Sequence, residues 1–444
     1  MIYGLSRRQE EAAEKAANEE RKGIIWWKVG EGKTRIALAW MQLTGRTHPL
    51  IVCAPGAFRQ WRDEIRLLEL GEVIKPVFVS YGKLSWREGN GAPTGYLSNV
   101  LDKTNCIVID ELWMYKNVNS KRSRLVTQLT SRKQSIGLSG SLMTSGNLED
   151  VYGQAKAMNL EKKLAPNLSS FREQFTIDTT NYGGFIQRWA RKGAMEVIQK
   201  RLANNVDIYF PKERRQIRDI KVNVDPSTEQ DKLRKELLRT YAYESKGFQL
   251  EVNSAASLLV KLQQVSDGFL KDTAGNYLYC KSAKLQRFQE LCSELLDAGE
   301  RILVWVGFRK TAEILSKALS CKTTVLSGDG KFDVLGWRDQ KIKVTIATVG
   351  SGSSLNDFAD VRYAIFYSTT FSSISMQQAK GRTVRKSSLH KCAYYYFLQT
   401  VKFPDAQIYQ MIEDNRSREE LLIKVGNRIL AEWKNENPTT APSR

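Results

Sequence analysis

Short β-branched and aromatic runs alternate with stretches whose apolar residues recur at i, i+3 and i+4, and this alternation organises most of the chain. In the first half the strand-like runs are GIIWWKV (23–29), PLIVCAP (49–55), KPVFVSY (75–81), NCIVIDEL (105–112) and QSIGLSG (134–140). In the second half they are RILVWVGF (301–308), KTTVLSG (322–328), KVTIATVG (343–350), VRYAIFYS (361–368) and AYYYFLQ (393–399). Strands separated by amphipathic helices argue an α/β fold with largely parallel sheets, and two sets of five argue two similar lobes.

Between the sets, strand signals thin out over roughly 150–282. EQDKLRKELLRTYAYE (229–244) and SAASLLVKLQQVSDGFL (254–270) carry helical spacing. The expected organisation is therefore a first lobe over 1–205, a helical bridge or insertion over 206–281, a second lobe over 282–434 and a frayed polar tail over 435–444.

Composition narrows the class. The chain has 444 residues, 42% hydrophobic and 26% charged, as expected of a soluble globular protein with two or three domains. No apolar run reaches the roughly 18–20 residues of a membrane span, and the first residues lack a secretory core, so a cytoplasmic, non-secreted protein is expected. The six cysteines form no C-x-x-C pair, and with two histidines a zinc site is not expected. The net charge of +20 suits a polyanion, nucleic acid before membrane. Residues 101–250 hold 26 basic against 17 acidic residues, and 301–400 hold 15 against 6. A solubility surplus would give the same balance without any partner.

Three patterns carry chemistry. The run GIIWWKV leads into Gly30-Glu31-Gly32-Lys33-Thr34 and then a helix-prone stretch. Glycines let backbone N–H groups face phosphates and the helix N-terminus adds a favourable field. Lys33 would pair with the β- and γ-phosphates of ATP and the Thr34 hydroxyl would ligate Mg2+. Trp27 occupies the place of the usual first glycine, and a fortuitous glycine turn is the alternative. Downstream, Asp110-Glu111 end an apolar strand. Asp110 would hold the metal and Glu111 would polarise the attacking water, unless the strand simply ends in acidic residues. In MQQAKGRTVRK (376–386), Arg382 and Arg385 lie three apart and would share one helix face, as phosphate-directed fingers or as an ordinary basic surface.

The order and spacing of these elements resemble superfamily 2 helicases, specifically the chromatin-remodeller-like (switch/sucrose-non-fermenting) branch, in a compact phage- or bacterial-type form. LSRRQ (5–9), IVCAPGAFRQWRDEI (51–65), VSYGKL (79–84), SGS (139–141), GNLEDVYGQAKAMNL (146–160) with FREQF (171–175), SAKLQRFQELCSEL (282–295), ATVGSGSSLNDFADVRYAIFYS (347–368) and QQAKGRTVR (377–385) carry the resemblance over about residues 3–400. It implies two RecA-like lobes with ATP and Mg2+ between them. It further implies Gln9 as the adenine contact, Gly352 near the nucleotide, and Gln378, Arg382 and Arg385 as second-lobe catalytic residues. Nucleic-acid contacts are expected from Pro55, Gln60, Trp61, Tyr81, Thr348, Gly350 and Ser351. Trp113 stands where such proteins usually carry His or a similar polar residue, and Ser141-Leu142 replace Thr-Pro.

The resemblance implies a DNA translocase or helicase acting on duplex, forked or junction DNA, with replication or recombination proteins as further partners. An RNA-dependent helicase, or a DNA-binding or annealing scaffold with a structural nucleotide site, are the other readings.

Overall fold

The computed structural model describes residues 4–18, 22–84, 95–141, 143, 147–180, 186–211, 216–245, 247–327, 333–350, 358–384 and 388–414. The chain divides into two compact units, Met1–Lys212 and Glu213–Arg444. Each is an α/β unit around a six-stranded parallel sheet, the RecA-like layering expected.

Unit 1 contains β1 (Lys22–Trp27), β2 (Pro49–Cys53), β3 (Val77–Ser80), β4 (Cys106–Ile109) and β5 (Gln134–Ser139). A separate antiparallel hairpin, β6 (Thr176–Thr180) with β7 (Ile186–Ala190), precedes β8 (Val206–Tyr209). The sheet order is β3-β2-β4-β5-β1-β8. β2 and β4 are buried at every position, which is why they read as unbroken apolar runs. Trp26 and Trp27 point to opposite faces, as successive strand residues must, and each is fully buried in its own core.

Unit 2 opens with β9 (Gln216–Val224) and two hairpins, β10 (Ala242–Ser245) with β11 (Phe248–Glu251) and β12 (Phe269–Lys271) with β13 (Tyr277–Tyr279). β14 (Ile302–Val306), β15 (Thr323–Leu326), β16 (Val344–Thr348), β17 (Tyr363–Phe366) and β18 (Cys392–Thr400) complete it. The order is β15-β16-β14-β17-β18-β9, again all parallel.

All ten strand-like runs are strands. The stretch 206–281 differs from the helical bridge expected there: it also supplies the sixth strand of each sheet, β8 and β9. β9 alternates partly buried and exposed residues and pairs only with β18, so as an edge strand it lacks the continuous apolar run of the central ones. The two helices in this stretch are shorter than their apolar spacing suggests. Thr228–Thr240 stops at Tyr241, whose φ of 55° is left-handed, and Ala255–Ser266 stops before Gly268 at φ 97°. Strands β10 and β12 follow directly.

One polar cluster ties unit 2 together beneath its sheet. Lys284 is fully buried, with its Nζ 2.8 Å from Asp267 Oδ1, 3.4 Å from Asp405 Oδ2 and 2.9 Å from Ser266 Oγ. Thr311 donates to Asp267 Oδ2 at 2.6 Å. The cluster thus joins the insertion to the helix Ala283–Asp297 and to the residues after β18. All six cysteines are free thiols. Among the described residues no helix is long and apolar enough to cross a membrane. The tail 435–444 lies outside them.

Candidate nucleotide site

The loop 30–34 leaves the carboxyl end of β1, where Gly30 and Gly32 both have positive φ, 86° and 84°. Gly32 is the N-cap of the helix Lys33–Leu43 and supplies no side-chain cap. The helices starting after Ser120, Asn167, Ser227, Ser254, Ser282 and Ser372 each have a side-chain oxygen accepting from the first turn. The helix Lys33–Leu43 has no such cap, as is also the case after Gly56, Leu148, Gly193, Phe308 and Pro404. Its glycine loop places backbone N–H groups at the helix N-terminus, an arrangement suited to a phosphate. Lys33 Nζ donates to the carbonyls of Trp27 (3.0 Å) and Lys28 (3.3 Å), so the ammonium is folded back over its own loop.

Gln9 closes the loop from the side. It is buried, its Oε1 accepts from Ser6 N at 2.9 Å, and its Nε2 donates to the Glu31 carbonyl at 2.9 Å. Gly32 is required by its φ, and a Cβ there would lie 2.2 Å from that Nε2 and push the Gln9 amide aside. The residue expected at the adenine thus braces the glycine loop.

The missing first glycine has a structural counterpart. Trp27 donates its indole N–H to Asp207 Oδ1 at 2.6 Å, and Arg8 Nη2 pairs with the same oxygen at 2.6 Å. The Arg8 guanidinium lies 5.3 Å from the Trp27 ring and 5.6 Å from Tyr209. Sequence reasoning missed Asp207 because it sits in the short strand β8, with no motif around it.

Asp110 and Glu111 follow β4. Strand β5 lies between β4 and β1, so the carboxylates and the loop leave the same sheet edge two strand spacings apart, about 10 Å. Gly140, at the end of β5, fills the space between: a Cβ there would be 3.6 Å from Lys33 Nζ. Asp110 accepts from Trp61 Nε1 on Oδ2 at 3.1 Å and from Glu111 N on Oδ1 at 3.0 Å. Tyr81 donates its hydroxyl to the Asp110 carbonyl at 3.1 Å. Burial, reinforced by the nearby Asp110 and Glu111 carboxylates, raises the Tyr81 phenol far above its ordinary range and keeps it a donor.

Glu111 adopts a left-handed conformation (φ 50°, ψ 57°), and the indole of Trp113 donates to its Oε2 at 2.6 Å. The turn carrying Trp113 is pressed from behind by the helix Glu149–Ala157. A Cβ on Gly153 would sit 1.7 Å from the Lys116 carbonyl, so only glycine permits this approach. Hard oxygen donors, the Asp110 carboxylate and the Thr34 hydroxyl, are of the type that suits Mg2+.

Several expected contacts are placed differently. Trp61 has a fully buried side chain that gives its indole N–H to Asp110. Tyr81 likewise turns its hydroxyl inward. Pro55 is exposed and Gln60 half-buried at the start of the helix Ala57–Leu67, whose N-cap Gly56 again supplies no side-chain cap.

In unit 2 the Thr348 side chain is buried at the end of β16 while Gly350 is exposed, and Ser351 and Gly352 lie outside the described residues. Gln378 and Arg382 are both buried. Arg382 lies beyond the helix expected to carry it: the helix Ser373–Lys380 ends at the cap Gly381, and Arg382 occupies the following turn. That turn is held by Thr383 and Tyr395, whose hydroxyls meet at 2.8 Å. Arg385 lies outside the described residues.

Neither a protein-family model nor a curated protein matches the chain. Among solved structures it is similar to the Sulfolobus solfataricus SWI2/SNF2 ATPase core in complex with dsDNA, with 16% identity and a TM-score of 0.38 over 99% of this chain and 97% of that one.

Proposed function

We propose that this chain is an ATP-dependent DNA translocase or helicase that remodels branched DNA such as forks and Holliday junctions. The observation that carries the reading is the meeting of three features at one edge of the unit 1 sheet. These are the uncapped helix after Gly32, the Lys33 ammonium and the Asp110-Glu111 pair across β5. In this reading Lys33 and the loop N–H groups hold the phosphates of ATP, Thr34 and Asp110 hold Mg2+, and Glu111 takes the proton of the attacking water. Bound Mg2+ supplies charge neutralisation at the phosphates. Gln9 reads the adenine from its place against the loop, Gly352 lies by the nucleotide, and Gln378, Arg382 and Arg385 complete the phosphoryl-transfer machinery.

The net charge of +20 supports a nucleic-acid track, and backbone phosphates would be held by the exposed Pro55 region, Gln60, Gly350 and Ser351. A cytoplasmic setting with replication or recombination partners belongs to the same proposal.

The test is ATP hydrolysis measured with duplex, forked, Holliday-junction and single-stranded DNA and with RNA. Duplex or branched DNA should stimulate turnover, and Lys33→Ala should abolish it while leaving the circular dichroism spectrum intact. Stimulation by RNA in preference to DNA would replace the DNA reading. Undiminished function in Lys33→Ala would mark a scaffold.

A further inference from the structure

Among the described residues four aromatic side chains are substantially exposed: Trp189, Phe210, Tyr277 and Tyr279. Trp189 is 53% exposed, whereas Trp26, Trp27, Trp61, Trp305 and Trp337 are buried. It sits on the β6–β7 hairpin, a two-stranded sheet apart from the main one.

The hairpin has two unlike faces. In its antiparallel register Ile177 is opposite Trp189 and Asp178 is opposite Arg188, so the two pairs lie on opposite sides. The Asp178–Arg188 side is anchored. Arg188 pairs with Asp178 at 3.1 Å and with Glu149 at 3.3 Å, and Glu149 also receives two bonds from Arg172, both 2.9 Å. At the base, Arg191 donates its N–H to the Phe175 carbonyl at 2.8 Å and its Nε to Thr176 O at 3.1 Å. The other side presents an apolar pair to solvent, Trp189 with Ile177, itself 47% exposed.

A rigid mount that displays an indole and an isoleucine is costly as a mere surface, because both could be polar without loss to the fold. Arg188 is on the anchored side and neutralised there by Asp178 and Glu149, whereas Arg191 and Lys192 follow within three residues of Trp189 and are exposed. Cations flanking an exposed aromatic face match a nucleic-acid strand, whose phosphates meet the cations and whose bases stack on the ring.

We propose that the Trp189–Ile177 face of this hairpin stacks on unpaired DNA bases, where a duplex opens into single strands. This rests on the DNA reading above and adds to it a specific element for distinguishing branched from continuous duplex. A paired base keeps its faces covered by its neighbours, so the ring gains nothing from intact duplex. At a fork the terminal base has one face to offer. Stacking of this kind is tolerant of sequence and insensitive to salt, in contrast to phosphate contacts.

The test is anisotropy of labelled single-stranded, forked and blunt duplex oligonucleotides bound to the full chain, run beside duplex-stimulated ATP hydrolysis. Trp189→Ala should weaken fork and single-strand binding on the order of 10-fold. It should leave blunt-duplex affinity, its salt dependence and duplex-stimulated turnover unchanged. Trp189→Phe should restore most of the loss. The proposal is overturned if Trp189→Ala binds forks as the wild type does, or weakens blunt duplex equally. It is also overturned if sedimentation shows that the substitution breaks a wild-type dimer, which would assign the face to a second copy. A wild-type chain that binds no DNA at all would remove the DNA reading itself. Normal duplex-stimulated turnover with no effect of Trp189→Ala would remove only the hairpin's role.

Discussion

The indole N–H of Trp61 donates to Asp110 Oδ2 at 3.1 Å, from a side chain with no exposure to solvent. A residue whose neighbourhood in the sequence suggested a track for nucleic acid instead holds the Asp110 carboxylate from within the core. Its bond leaves one lone-pair direction of that oxygen committed and the carboxylate fixed in rotation.

Trp61→Phe keeps the aromatic packing and deletes the bond. Removing a hydrogen bond to a carboxylate, with a small loss of buried volume, should lower stability by about 1–3 kcal/mol. It should also raise the Mg2+ concentration needed for half-maximal ATP hydrolysis several-fold. A urea titration and an Mg2+ titration of turnover check the two parts. DNA affinity unchanged within error would agree with the buried position; a large loss of DNA binding at saturating Mg2+ would return Trp61 to the track.

Trp113 gives a second expectation. Its N–H holds Glu111 Oε2 at 2.6 Å, and the Glu111 backbone is itself left-handed. Trp113→Phe should lower kcat by about 10-fold or more, as loss of orientation at a general base does. The KM for ATP should change little, because no phosphate contact is touched. Trp113→His, which restores a ring N–H, should recover part of the loss. An effect confined to KM would assign Trp113 to binding.

These two tryptophans show where the sequence was legible and where it was not. The central strands could be read because burial on both faces demands unbroken apolar runs, as in PLIVC and ILVWV. The edge strand β9 could not, since its exposed positions carry Arg218, Asp219 and Lys221 and resemble a solvated segment. At the site, Gly30–Thr34 and Asp110-Glu111 were visible because their chemistry depends on local order along the chain. The direction in which Trp61 points, the partner of Trp27 at Asp207 and the turn at Arg382 depend on contacts between distant segments. A period of three or four residues suggests a helix face, but Gly381 ends the helix before Arg382.

Gly32→Ala separates the two constraints on the phosphate loop. A left-handed φ of 84° costs an alanine about 1–2 kcal/mol, and its Cβ would displace the Gln9 amide from Glu31. The variant should fold with a slightly lower urea midpoint and bind a fluorescent ATP analogue at least 10-fold more weakly. Adding Gln9→Ala relieves the collision, so the double variant should regain stability without regaining nucleotide affinity. If Gln9→Ala restores binding, Gln9 is a spacer and takes no part in reading the base.

The buried cation of unit 2 yields a prediction in pH. Burial opposes the Lys284 charge, but the Asp267 and Asp405 carboxylates outweigh it and raise the ammonium above its ordinary 10.5. A lysine that holds its proton more tightly folded than unfolded contributes fully below about pH 10.5, and that contribution drains away as pH rises through the native value. The urea midpoint of the wild type should therefore fall on the alkaline side, and Lys284→Met should lose that slope. At neutral pH the same variant leaves two buried carboxylates without their cation, at a cost of about 3–5 kcal/mol. Asp267 is raised by burial even with Lys284 present, so without it protonation becomes easier still. For an acid whose native pKa is raised, the folded state binds the proton better, and stability increases as pH falls through that native value. The deficit of Lys284→Met should accordingly shrink as pH is lowered from neutrality, the reverse of the usual acid destabilisation by paired carboxylates. A deficit that stays constant as pH falls would mean that packing, and not charge, fixes Lys284 in the core.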